Sequence, residues 1–164
     1  MIKSEYEKQM NAVMRFIDAE TEEARQQARQ ELRAMMAGKT ILAESSQNIE
    51  RTVERVIMDL GIPCHIKGYN YLKSAIGMVV RKHDMVCAIT TELYPAVAKE
   101  YNTTPSRVER AIRHAIECGW DRVDLDIMAE YFGNTIRADK GKPTNGEFIA
   151  RVANVVRSHL NEAA

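Results

Sequence analysis

The chain has 164 residues, of which 45% are hydrophobic and 28% charged, a balance ordinary for a soluble globular protein and a length that fits one domain, or one small domain plus an extension. No apolar run approaches the roughly 18 residues that a transmembrane helix needs, so no membrane association is expected. Lys plus Arg and Asp plus Glu both number 23, so any nucleic-acid footprint must be local rather than global.

Residues 1–50 hold 7 Lys/Arg and 9 Asp/Glu, which leaves the remainder slightly basic. The opening "MIKSEYEKQM" has no apolar core and does not read as a signal peptide. The cysteines, Cys64, Cys87 and Cys118, are odd in number and far apart. A cytoplasmic protein with reduced thiols is expected.

Residues 4–37 contain no Gly or Pro, and Ser4 with Glu7 makes a capping-box pattern. Tyr6, Met10, Val13, Ile17, Ala24, Ala28, Leu32 and Met35 recur at spacings of three and four, so one long amphipathic helix is predicted, stopped at Gly38. A stripe this thin cannot fold alone and must pack on its own domain or on a second copy. "AGKTILAESSQ" (37–47) reads as a linker or turn. Its "GKT" lacks the first glycine and the preceding strand of a phosphate loop. Two segments are thus expected: a helical arm over 1–40, for dimerisation or docking, and a folded domain over 41–164.

An amphipathic helix is predicted over 46–60, with Ile49, Val53, Val56, Ile57 and Leu60 on one face and Gly61 as its stop. Another follows over 69–82. "YPAVAKEYN" (94–102) reads as a short helix with Pro95 in its first turn, and Asn102 can take the left-handed conformation that ends it. Thr104 is then a natural N-cap and Pro105 suits the first position of the next helix. A helix, a three-residue turn and a helix make a helix-turn-helix. Beyond it come a short helix over 122–133, a polar loop over 134–145 and a last helix over 146–160. No alternation of period two appears, so the fold class expected is all-α, a compact multi-helix bundle containing a helix-turn-helix and preceded by a long N-terminal amphipathic helix.

The helix after Pro105 divides cleanly. Val108, Ala111, Ile112, Ala115 and Ile116 form its apolar face; Ser106, Arg107, Glu109, Arg110, Arg113 and Glu117 form the other. A recognition helix places its N-terminal residues at base edges in the major groove. Arginine there grips guanine O6 and N7 through two hydrogen bonds, and glutamate accepts from the cytosine amino group. Arg107, Glu109 and Arg110 are therefore the candidate base readers. Arg113 and His114, further along, suit phosphates. The alternative is a solvated face with intrahelical salt bridges, for which Arg113–Glu117 is a candidate.

Cys64–His65 and His83–Cys87 are the pairs to weigh as zinc ligands, but free cysteine more often behaves as a small hydrophobe. No spacing suggests a nucleophile with its base. No catalytic residue, metal or cofactor is expected.

Three stretches, "GIPCHIKGYNYLKSAI", "ITTELYPAVAKEYNTTPSRVERAIRHAIE" and "KPTNGEFIARVA", strongly resemble the DNA-binding effector domain of the stage zero sporulation protein A family, from about residue 49 to about residue 157. The resemblance implies a compact six-helix domain that binds double-stranded DNA at a TGTCGAA-like box, usually in tandem copies, and regulates RNA polymerase. It places base reading at Arg107, Glu109 and Arg110. It implies backbone or flanking contacts at Ser106, Arg113 and His114, and phosphate contacts at Lys142 and Lys140 in the "KPTN" loop. Residues 137–157 hold five Lys/Arg against two Asp/Glu, which is electrostatically apt. Residues of about 123–136 resemble the region that contacts the polymerase sigma subunit. Full-length members carry a receiver domain, and residues 1–48 are too short and too helical for one. Switching by aspartyl phosphorylation is therefore not expected, and the 4–37 helix is the natural substitute as a homodimerising arm. A rival reading is a partner-binding antagonist that engages a regulator or RNA polymerase through that helix.

Overall fold

Apolar faces of helical period recur along the chain, and the computed structural model is correspondingly helical. It describes residues 2–17, 22–133 and 141–162, and no strand occurs among them. The elements are α1 (Ile2–Ile17), α2 (Glu22–Asp59), α3 (Lys67–Arg81), α4 (Tyr94–Glu100), α5 (Pro105–Trp120), α6 (Leu125–Phe132) and α7 (Asn145–Glu162). A 3-10 turn at His83–Cys87 and a π turn at Ile89–Leu93 lie between α3 and α4.

Two expectations for the N-terminal part need correction. The single helix over 4–37 is instead two, α1 and α2, with residues 18–21 outside the described residues. The linker expected over 37–47 is helix, because α2 runs through Gly38 to Asp59. Gly38 stops nothing: its backbone is not left-handed and a Cβ there would meet open space. A helical glycine costs only about 1 kcal/mol relative to alanine, and Leu42, Ala43 and Glu44 after it are good helix formers.

The chain divides into two compact units, Met1–Gln47 and Asn48–Ala164. In the first, α1 and the start of α2 bury the small residues Ala12 and Ala28, and Arg15 reaches Glu31 at 3.8 Å. Met10, Val13, Met14 and Met35 stay exposed there.

The second unit holds the core. Val53, Val56 and Ile57 from the end of α2 are fully buried with Leu72 and Ile76 of α3, Ile112 of α5 and Phe148 of α7. Burying an aliphatic side chain of this size contributes about 1.5–3 kcal/mol. Gly61, at φ +72, ends α2: its N–H donates to the Met58 carbonyl at 2.9 Å, and the Ile62 N–H donates to Ile57 at 3.2 Å. This is the paired closure that a left-handed glycine permits. The α3 helix lies against α5 so closely that a Cβ on Gly68 would stand 2.0 Å from the Ala111 carbonyl oxygen. Only a glycine allows that approach. Arg157 of α7 donates to the Val79 carbonyl at 2.6 Å and the Val80 carbonyl at 3.4 Å, satisfying carbonyls that the end of α3 leaves unpaired.

Candidate nucleic-acid interface

The short α4 carries Pro95 in its first turn and buries Val97 and Ala98. Its end is tied by the Tyr101 N–H to Val97 at 3.1 Å and the Thr103 N–H to Ala98 at 2.9 Å. Asn102 takes φ +49, the one left-handed residue other than glycine among those described. Thr104 is extended at φ −108, ψ 149, and its hydroxyl accepts from the Arg107 N–H at 3.4 Å. Pro105 opens α5. The helix-turn-helix predicted from "YPAVAKEYNTTPSR" is thus present, with each of its three local signals in the expected role.

The two faces of α5 separate as its pattern requires. Val108, Ile112, Ala115 and Ile116 are buried, whereas Ser106, Arg107, Arg110, Arg113 and His114 are exposed. Among the described residues, the guanidiniums of Arg107 and Arg110 have no ion-pair partner. Arg113 does have one, and it is Glu109 rather than the Glu117 considered above. The pair leaves the Glu109 carboxylate about one-third exposed. Lys142 bonds to Asp121, the residue capping the C-terminal end of α5, at 2.7 Å. That bond raises the lysine's pKa, so the ammonium stays charged. Lys140 lies outside the described residues.

Asn145, at the start of α7, is buried, and its amide donates to the Tyr94 hydroxyl at 3.0 Å and to the Glu109 carbonyl at 3.1 Å. One side chain therefore joins α4, α5 and α7. Burial pushes the Tyr94 hydroxyl above its usual pKa, and it stays neutral and able to share that bond. Thr144 and Glu147 cap α7 reciprocally: the Thr144 N–H and hydroxyl both donate to Glu147 Oε2 at 2.9 Å, and the Glu147 N–H donates back at 3.3 Å. Between α5 and this segment runs an open groove of about 420 Å³, lined by Glu109, Arg113, Glu117, Lys142 and Thr144 among others. Two cationic residues of the candidate set, Arg113 and Lys142, thus line one groove together with Glu109, while Asn145, Asp121 and Tyr94 are the positioning residues that sequence reasoning missed.

No group of three or more His, Cys, Asp or Glu side chains that could hold a metal ion occurs among the described residues. None of the described helices is long and apolar enough to cross a membrane.

A family model described as the sporulation initiation factor Spo0A C-terminal domain matches residues 53–156. The match spans most of the second unit and includes α3 to α6, the helix-turn-helix and the first two-thirds of α7. With an all-α fold, a buried-and-exposed α5 and a match over more than half of its length, the chain belongs to the Spo0A C-terminal family of DNA-binding sporulation-regulator domains.

Proposed function

We propose that the chain is a sequence-specific transcription regulator that reads a TGTCGAA-like box with α5 in the major groove. The observation that carries this is the exposed pair Arg107 and Arg110 at the start of α5, without an ion-pair partner among the described residues, on a helix whose other face is buried. Arginine so placed can grip guanine through two hydrogen bonds. Glu109 accepts from a cytosine amino group, held in orientation by Arg113. Ser106, Arg113, His114, Lys140 and Lys142 meet backbone phosphates, which set register without reading sequence.

Residues 4–37 act as a homodimerising arm, favoured by the exposed Met10, Met14 and Met35. Residues of about 123–136 meet the polymerase sigma subunit, favoured by Leu125, which is 77% exposed; residues 134–136 lie outside the described residues. Aspartyl phosphorylation within these 164 residues is not the switch, and the protein works in the cytoplasm without a cofactor. The same methionine-rich surface favours a second reading, an antagonist that docks on a regulator or RNA polymerase; it predicts that charge reversal at Arg107 and Arg110 is tolerated.

Single substitutions separate the two. Arg107→Ala or Arg110→Ala should lose about 1–3 kcal/mol on the box and little on scrambled DNA. Equal losses on both duplexes would overturn the base-reading assignment.

A further inference from the structure

His114 and Cys118 stand four residues apart on α5, so they share one face of a rigid helix. His114 is exposed and Cys118 is a half-buried free thiol. The Cys118 sulfur lies 3.6 Å from His114 Nε2 and 3.9 Å from Nδ1. Zinc–thiolate and zinc–imidazole bonds of about 2.3 and 2.0–2.1 Å, meeting at a tetrahedral angle, hold their donors about 3.6 Å apart. The Nε2–Sγ separation already equals that edge length; the sulfur is nearly equidistant from both ring nitrogens, so a rotation of the imidazole, with no movement of the backbone, aims the Nε2 lone pair at the shared metal position.

We propose that His114 and Cys118 form a two-point site for a thiophilic divalent cation of the zinc class, with water completing the coordination. No third His, Cys, Asp or Glu is gathered with them among the described residues. The site is therefore open, and weaker than a four-ligand structural zinc centre. Loading exchanges the thiol proton for the metal: the S–H bond breaks, the proton goes to solvent, a sulfur–metal bond forms and nothing is oxidised. The sequence pattern offers Cys64–His65 and His83–Cys87 as the pairs to weigh and does not single this one out.

The test uses cobalt(II) as the probe on the reduced full chain without DNA, so its outcome does not depend on the DNA-reading assignment. A thiolate-to-cobalt charge-transfer band should appear in the near ultraviolet and disappear when zinc is added. The band should persist in the Cys64→Ser/Cys87→Ser variant, which leaves Cys118 as the sole thiol. In that background, His114→Ala should weaken cobalt binding at least about tenfold, since even outer-shell partners are worth about 10–100-fold. Cys118→Ser in the full chain should abolish the band. A band that survives Cys118→Ser, an affinity unchanged by His114→Ala, or no band in any of these proteins would overturn the proposal. The substituted side chains are exposed or half-buried, and an unchanged circular dichroism spectrum confirms that each variant is folded.

Discussion

Asn145 fixes where α5 stands. Its amide holds the Tyr94 hydroxyl and the Glu109 carbonyl at once, so truncation leaves polar groups unsatisfied at the joint of three helices. Asn145→Ala should cost about 1–3 kcal/mol, read as a lower urea midpoint at unchanged slope; an unmoved midpoint would mean that the joint contributes nothing. Its role is not legible in the sequence, where it ends a polar loop, because its partners lie 51 and 36 residues away. Arg107 and Arg110 are legible, since helical spacing alone puts them opposite Val108 and Ile112. Lys142 differs from them in what it should report. Lys142→Ala should weaken box and scrambled DNA about equally and reduce the salt slope by about 1; a loss confined to the box would contradict a phosphate role. Tyr131 carries a pH prediction. Its hydroxyl donates to Asp59 at 2.9 Å, and burial, then the Asp59 hydrogen bond and charge, push its pKa from 10.0 up to about 12. The folded value lies above the unfolded one, so this contribution is whole below about pH 10 and is lost as pH rises towards 12. Tyr131→Phe should therefore flatten part of the fall in stability over that window; an identical fall in both proteins would contradict it.

At the scale of elements, the interface rests on how closely α3 approaches α5. A methyl on Gly68 would enter the space of the Ala111 carbonyl, and that atom belongs to a backbone that cannot swing aside. Gly68→Ala should destabilise by about 1–3 kcal/mol through forced overpacking. It should also weaken DNA binding, because the helix it displaces carries Arg107 and Arg110. A thermal melt beside a binding titration measures both; full stability with full affinity would show that the crossing tolerates a side chain. The helix-turn-helix is readable because its signals are local: Asn102 for the left-handed turn, Thr104 for the cap and Pro105 for the first turn. Gly38 shows the limit of such signals. The residue type at a helix stop is the same as that of a tolerated interior glycine, and only the backbone conformation distinguishes them. Gly61 at φ +72 is the stop, whereas Gly38 is not left-handed. The sequence leaves the partner of Arg113 open for a related reason, since Glu109 and Glu117 are both four residues from it; the folded chain pairs it with Glu109.

At the scale of the whole chain, a formal net charge of zero conceals local cations that the fold gathers on one face. Among the described residues Arg107 and Arg110 have no ion-pair partner, while Arg113 and Lys142 are each held by a carboxylate. The two units invite separate tests. Residues 48–164 hold the core cluster and the family match, so this fragment should unfold cooperatively by itself. If the N-terminal arm dimerises the protein, the fragment should sediment as a monomer and lose affinity for tandem boxes while binding a single box as before. An unchanged mass and unchanged tandem affinity would rule the arm out as a dimeriser. The central claim is that α5 reads sequence, and the most direct measurement is a fluorescence-anisotropy titration at fixed salt. It compares a duplex carrying two TGTCGAA-like boxes with a scrambled duplex of equal composition. The account predicts a preference of about a thousandfold or more; equal, weak binding to both duplexes would contradict it.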